Sequence, residues 1–291
     1  MDLGKIGLWS FFETVPAAEM RDAAAEIEDL GFPTLWIPEA LGREAFTHSA
    51  LLLGASERLI VATGIANVWA RDAMTMANAQ RTLTEAFPDR FVLGLGVSHA
   101  PMVEAVRGHD YKRPLTYMRK YLDAMDAAAY VAPAPTTETM RVLAALHPKM
   151  LALAAERSDG SHPYFVTPEH TERARQALGP NKLLAPEQMV VLETDPDKAR
   201  AIARENMAMY LTLPNYVRNL LTLGFAEADV TDGGSDRLVD AIVVWGDLSA
   251  IAARVRAHHD AGADHVCLQA LTADPQKLPR AEWRELAALL S

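Results

Sequence analysis

WSFFETVPAAE, residues Trp9 to Glu19, joins the first β-like run of the chain to its first amphipathic stretch and carries no glycine-rich phosphate loop. A doubly wound dinucleotide fold sets its glycine fingerprint at that junction, so this stretch argues against an open nucleotide-binding sheet. GLGVS, from Gly94 to Ser98, looks superficially similar, but it follows the fourth run and lacks the third glycine. Outward from this junction, β-like runs recur at Lys5 to Ser10, Thr34 to Glu39, Leu59 to Ile65, Phe91 to Val97, Arg141 to Leu146, His162 to Val166, Met189 to Thr194 and His265 to Leu271. Between them lie stretches such as AAEMRDAAAEIEDLG and MTMANAQRTLTEAF, whose apolar residues recur at three and four. Eight strands in βα alternation, apolar on both faces, predict an α/β fold of the (β/α)8 TIM barrel type. Pro16 and Pro168 suit first-turn positions, Thr167 and Asp195 suit N-caps, and Gly31 and Gly179 suit C-caps.

The segment from Leu213 to Gly246 is too long for an ordinary βα connection. It is expected to hold an extra helix, LPNYVRNLLTLGF, and a turn, ADVTDGGSDR, as a helical insertion capping the barrel mouth (about 213–246). With no interdomain linker evident, the whole of 1–291 is expected to be one domain.

Composition narrows the function. Lys and Arg number 28 against 38 Asp and Glu, for a net charge of −10 and a pI near 5.4. Such a chain lacks the basic face that nucleic acid requires, and it shows no apolar run long enough for a membrane span. Without a charged leader at its start, it is expected to be cytoplasmic. The single cysteine, Cys267, cannot form an internal disulfide and is expected to be buried in a strand.

A barrel of this kind places its chemistry where the strands end. Those positions are Trp9 to Phe12, Glu39, Gly64 to Trp69, Ser98 and His99, His147 and Pro148, Thr167, Glu169 and His170, and Glu193. They are aromatic, polar and histidine-bearing, without a His-x-His or His-Glu-x-x-His spacing, so no metal site is expected.

At these residues the chain resembles the bacterial luciferase-like superfamily, and within it the oxidoreductases that use the deazaflavin coenzyme F420. The resemblance runs through KIGLW, EDLGF, TLWIPE, ATGIANVWARDAMTMANAQRTLTE, PDRFVLGLGVSHAP, LAALHPKMLALAAERSDGSHPYFVTPEHTERAR and WGDLSAIAARVRAHHDAGADHVCLQAL. AALHPKML and HPYFVTPEHT look most like a mycobacterial-type subgroup of deazaflavin-dependent enzymes. The resemblance implies a third strand ending in a bulge with a non-proline cis peptide, here within Gly64-Ile65-Ala66-Asn67, against which the flat ring packs. Asn67 is then expected to bond the ring's polar edge, although the same residues also suit a plain strand-to-loop turn.

For the phosphate, a helix start offers free N–H groups and a favourable dipole. Thr167 and His170 are expected to hold it, Thr167 by its hydroxyl and His170 by charge; a simple N-cap explains Thr167 and Pro168 equally. Ala144, Ala145, Leu146 and His147 match the family's turn after the fifth strand, with Leu146 and His147 standing where a glycine is common. Sugar-phosphate dehydrogenases of the family carry a histidine after strand two and a glutamate after strand four; here Ala40 and His99 stand there, against that reaction. His99, beside Ser98, is the expected acid or base. Glu39 is expected to hold the ring edge or orient His99. Trp9, Phe11 and Phe12 are expected to wall the pocket, and the basic loop RGHDYKR, Arg107 to Arg113, lies above it.

The expected cofactor is coenzyme F420, with FMN as the alternative, and the expected partner is a small organic substrate in a homodimeric enzyme. The rival readings are an FMN-dependent monooxygenase, a non-catalytic flavin-binding barrel and a metal-dependent barrel lyase.

Overall fold

In a computed structural model of the chain, which describes residues 1–290, the predicted alternation becomes one continuous parallel sheet. Its strands are β1 (Ile6–Trp9), β2 (Thr34–Ile37), β3 (Ile60–Thr63), β4 (Ala66–Asn67), β5 (Phe91–Gly96), β6 (Met140–Leu143), β7 (Gly160–Ser161), β8 (Leu183–Leu184), β9 (Glu187–Val191), β10 (Val243–Trp245) and β11 (Val266–Ala270). The order is β10-β9-β11-β1-β2-β3-β5-β6-β7-β8, with β4 added to β5. β8 and β9 form one interrupted run. On one side Ala185 N–H donates to Ser161 O and Glu187 N–H to Pro163 O; on the other, β9 pairs with β11. The sheet thereby closes on itself as a (β/α)8 barrel.

Register fixes what lies inside. Trp9 pairs with Trp36, Trp36 with Ala62, and Ala62 with Val92, so all four share one face. With Val142, Ala185 and Cys267 they form an apolar cluster that fills the barrel. A larger cluster lies between sheet and helices, where helix Ala17–Asp29 buries Met20, Ala23, Ala24 and Ile27 at the expected three- and four-residue spacing.

Caps set the helix starts. Asp195 accepts from Asp197 N–H and Lys198 N–H, Asp247 from Ala250 N–H, and proline opens helices Pro148–Arg157, Pro168–Leu178 and Pro196–Leu211. Gly179, at φ 78°, ends helix Pro168–Leu178, as its lack of a Cβ allows.

Two strand expectations need correction. The sixth run, His162 to Val166, is not itself a strand: the strand is β7, which ends just before it, because Pro163 has no N–H to pair and Phe165 turns to φ 60°. The seventh begins earlier than Met189: Pro186 interrupts it, and its polar Glu187 and Gln188 are buried rather than solvated. β10, three residues long, was not foreseen. Within 213–246, helices Pro214–Thr222 and Asp236–Ile242 bury Tyr216, Leu220, Leu238 and Ile242 in a cluster with Phe165, Met189, Val191 and Leu271, at the C-terminal ends of the strands. Among the described residues no helix is long and apolar enough to cross a membrane.

Candidate active site

The mouth of the barrel is walled by aromatic rings brought from distant parts of the chain. Trp9, the last residue of β1, meets Phe11 edge-on at 4.8 Å and Tyr164 at 5.1 Å. Tyr216, from the inserted segment, lies 5.1 Å from the His99 ring and 5.6 Å from Tyr210. Beneath them the phenols form a directed chain. Tyr164 donates to Gln269 Oε1 at 2.8 Å, so its oxygen accepts from Tyr210 at 2.8 Å. Phe12, by contrast, is fully buried against Trp283 and His48 and walls nothing.

The floor is the end of the third strand. The Gly64–Ile65 peptide is cis, as the family resemblance implied. Gly64 N–H donates to Ile37 O at 2.7 Å, and the chain then pairs as β4 with β5. Two glycines of β5 make room for this bulge. A Cβ on Gly94 would lie 1.9 Å from Thr63 O, and one on Gly96 would lie 2.5 Å from Ile65 Cδ1. The glycines of GLGVS thus admit backbone and side chain, not a phosphate. Asn67 is buried, and its Oδ1 accepts from Trp69 N–H at 2.9 Å, so that oxygen is committed within the protein.

Glu39 is placed differently from expectation. Its carboxylate forms a buried two-point ion pair with Arg71 and also accepts from Asn67 N–H at 2.7 Å and Ala45 N–H at 3.3 Å. Its oxygens are therefore taken by partners other than His99, and its place is under the bulge as an anchor. Asp72, beside Arg71, caps helix Ala73–Ala86 through Thr75 N–H.

His99 is half-buried, and burial lowers its pKa, favouring a neutral imidazole. Ser98 before it adopts φ 56°, a left-handed conformation uncommon for a residue with a side chain, and its carbonyl accepts from Tyr111 O–H at 3.0 Å. Tyr111, its pKa pushed up to about 12 by burial, packs with His109 and Tyr117 around Trp69. The RGHDYKR loop is accordingly an aromatic packing element, in which Lys112 is paired with Asp110 and Arg107 reaches Ala40 O.

After β6, Ala144 N–H donates to Leu95 O at 2.8 Å, and His147 opens the next helix with its Nε2 3.2 Å from Asn215 O. Thr167 opens helix Pro168–Leu178. Its hydroxyl is buried, makes no cap bond, and lies beside exposed Glu169 outside hydrogen-bond geometry, yet near enough to hold that carboxyl below its usual pKa. Thr167, Glu169, Phe225 and Arg237 line a hollow of about 250 Å³. His170 departs from expectation: burial pushes its pKa to about 4, and its Nε2 is 2.8 Å from Leu146 O. It is neutral near pH 7, ties the helix to the turn after β6, and brings no charge to a phosphate.

Several mouth residues were not foreseen from the sequence. Tyr164 and Gln269 stood inside expected strands, where the inward-facing positions were open to reading. Glu187 stood outside any expected strand; it is 1% exposed, one oxygen accepts from Phe165 N–H at 3.2 Å, the other has no partner, and burial raises its pKa to about 8. A larger hollow of about 460 Å³, lined by Arg81, Tyr130 and Pro135 among others, precedes β6 at the opposite end of the barrel, where chemistry is not expected.

A parallel (β/α)8 barrel with a bulged third strand under an aromatic mouth defines a luciferase-like barrel. The chain belongs to the luciferase-like monooxygenase family, whose profile matches residues 4–265. Over 199 residues it is 30% identical to a Mycobacterium tuberculosis protein provisionally named a coenzyme F420-dependent oxidoreductase, an alignment covering 58% of this chain and 56% of the relative. The chain thus spans about half the length of that relative. Among solved structures, an F420-dependent secondary alcohol dehydrogenase in complex with an F420-acetone adduct superposes with TM-score 0.80 at 15% identity, over 98% of both chains. The FMN-bound oxygenating constituent of a Pseudomonas putida 3,6-diketocamphane monooxygenase gives 0.73 at 15% identity, over 98% of this chain and 96% of that one. At such identities these two likenesses speak for the fold.

Proposed function

We propose that this protein is an oxidoreductase that uses coenzyme F420 to exchange a hydride with a small, fairly apolar organic substrate. The observation that carries this reading is the mouth itself. A glycine-cradled bulge lies under an aromatic wall, with buried, unpartnered polar atoms at Trp9 Nε1 and Thr167 Oγ1. Such atoms are costly unless a ligand or water completes them, so the residues fit a flat ring ending in a phosphate.

In this reading Gly64, Ile65, Ala66 and the Asn67 backbone support the ring. Ser98, Ala144, Ala145, Leu146 and His147 line its tail, and Thr167 with the helix start receives the phosphate. When bound, the deazaflavin supplies a ring carbon that gives or accepts a hydride. His99 acts as the base that takes the proton from the substrate as the hydride leaves, and returns it in the reverse direction; its neutrality suits the first role. Glu39 acts through Asn67 and Arg71, and so is a positioning residue.

The FMN-dependent monooxygenase remains the second reading, favoured by the family match and by the FMN-bound neighbour. Titration of the purified protein with each cofactor separates the two. We expect F420 to bind and FMN not to; tight FMN binding with oxygen-dependent turnover would sink the F420 reading. His99→Ala is expected to lower turnover about a hundredfold or more, the scale of lost general base catalysis, with cofactor affinity unchanged. We further propose a homodimer, to be checked by light scattering, where a mass near 31.8 kDa would contradict it.

A further inference from the structure

We propose that Glu187 is a positioning residue for His99: it clasps the turn at Pro163 to Phe165, which sets the Phe165 ring against Tyr216, and the Tyr216 ring packs on His99. The clasp has two points. Glu187 N–H donates to Pro163 O at 2.9 Å, and the Glu187 carboxyl accepts from Phe165 N–H at 3.2 Å, so one residue of β9 holds the chain on both sides of Tyr164. Regular strand pairing does not reach this turn, because β7 ends at Ser161 and Pro163 has no N–H to give. Phe165 stands at φ 60°, a conformation that a residue with a side chain keeps only where its surroundings impose it. The carboxyl on its N–H is the group that does so.

From the turn, the path to His99 runs through rings. Phe165 is buried 5.2 Å from Tyr210 and 5.3 Å from Tyr216, which themselves lie 5.6 Å apart, so it is one corner of a three-ring cluster. Tyr164 joins that cluster through its hydrogen bond to Tyr210. Tyr216, carried by the inserted helix Pro214–Thr222, stands 5.1 Å from the His99 ring. Close-packed rings pass a displacement on rather than absorb it. The groups that face the Glu187 carboxyl are Tyr164, Tyr210, Tyr216 and Cys267, and none is a cation. Near pH 7 the carboxyl therefore keeps its proton and works as a hydrogen-bond acceptor rather than as a charge. An amide in its place can accept the same bond, whereas an alkyl group cannot.

The role rests on His99 being the base of the hydride-transfer reading above, but its test needs no substrate. Histidine ring resonances and backbone amide exchange are read by NMR on the 291-residue chain, first alone and then with F420, with His99 assigned by its loss in His99→Ala. Tyr216→Leu supplies the shifts of a His99 that has lost its neighbouring ring. In Glu187→Leu the His99 shifts are expected to move toward the Tyr216→Leu values, and Phe165 N–H to exchange about tenfold faster, the order of one lost hydrogen bond. Glu187→Gln is expected to return both to the wild-type values. A residue that only stabilised the barrel would lower the melting temperature and leave His99 where it is. If the leucine variant does not fold, Phe165→Leu decides, because it keeps the N–H and removes only the ring, and His99 is expected to move there too. Unmoved His99 shifts in Glu187→Leu, or in Phe165→Leu where that variant decides, would overturn the proposal, as would a Glu187→Gln protein as altered as Glu187→Leu. Moved shifts together with unchanged turnover in His99→Ala would leave the positioning standing and remove the base. Lost turnover in His99→Ala with unmoved shifts would do the reverse.

Discussion

The Glu39 carboxylate is divided among the Arg71 guanidinium and two backbone N–H groups, and both charged side chains are less than a tenth exposed, at 5% and 8%. Removing one partner of such a pair strands the other charge away from water, which costs about 3–5 kcal/mol, whereas replacing both together costs far less. Arg71 keeps a second partner in Glu44 at 2.9 Å, so Glu39→Ala should fall at the low end, about 3 kcal/mol by urea unfolding. Glu39→Gln retains an acceptor for Asn67 N–H and should cost less, and Glu39→Ala with Arg71→Met should recover part of the loss. A wild-type midpoint for Glu39→Ala would remove the anchor role. The sequence shows a glutamate at a strand end and an arginine 32 residues on, but their meeting depends on the adjacency of the second and third strands. For the same reason His170 read as a charge at a helix start, because its burial comes from Leu146 and the neighbouring helices. Residue type was legible; solvation, which decides what each type does, was not.

At the scale of elements, β3, the bulge and β5 form one interlocked unit. The Thr63 hydroxyl donates to Gly94 O at 2.8 Å and accepts from Gly94 N–H at 2.9 Å, which draws the two strands together where Gly94 has no side chain. The two glycines differ in what they face. An alanine at 94 would press its methyl on the Thr63 carbonyl, part of the backbone, whereas one at 96 would meet the end of the Ile65 side chain, which can turn. Gly94→Ala should therefore destabilise by about 3 kcal/mol or fail to fold, and Gly96→Ala by about 1 kcal/mol, with Ile65→Val relieving the second but not the first. Equal costs in thermal unfolding would contradict the interlock. Periodicity made the barrel legible because strands apolar on both faces, separated by amphipathic helices, have few other solutions. It failed at the seventh strand, where Pro186 and two buried polar residues break the apolar run. It failed at the sixth for the opposite reason: HPYFV reads as β-like, yet Pro163 and the turned Phe165 end the pairing.

Across the whole molecule, buried titratable groups set an opposed pair of pH dependences. Burial pushes His48, His162, His170 and His265 to about 4 and His258 to about 3, from an ordinary value of 6.5. As pH drops below 6.5, the unfolded chain binds protons that the folded one refuses, so stability falls progressively toward pH 4. Glu187 has the opposite sign. Its folded pKa of about 8 stands above the ordinary 4.5, so the folded protein keeps a proton that the unfolded chain has released. Its contribution is complete below pH 4.5 and is lost as pH rises through 8. Five histidines outweigh one carboxyl on the acid side, and above pH 6.5 only the carboxyl slope remains, so stability should peak near pH 6.5. Glu187→Gln keeps the shape and removes the titration; its melting temperature should stay level from about pH 6.5 to 8.5 where the wild type declines. The acid limb should be retained in that variant, because the histidines are untouched. An alkaline decline as steep in Glu187→Gln as in the wild type would show that another group carries it and that Glu187 is ionised inside the barrel.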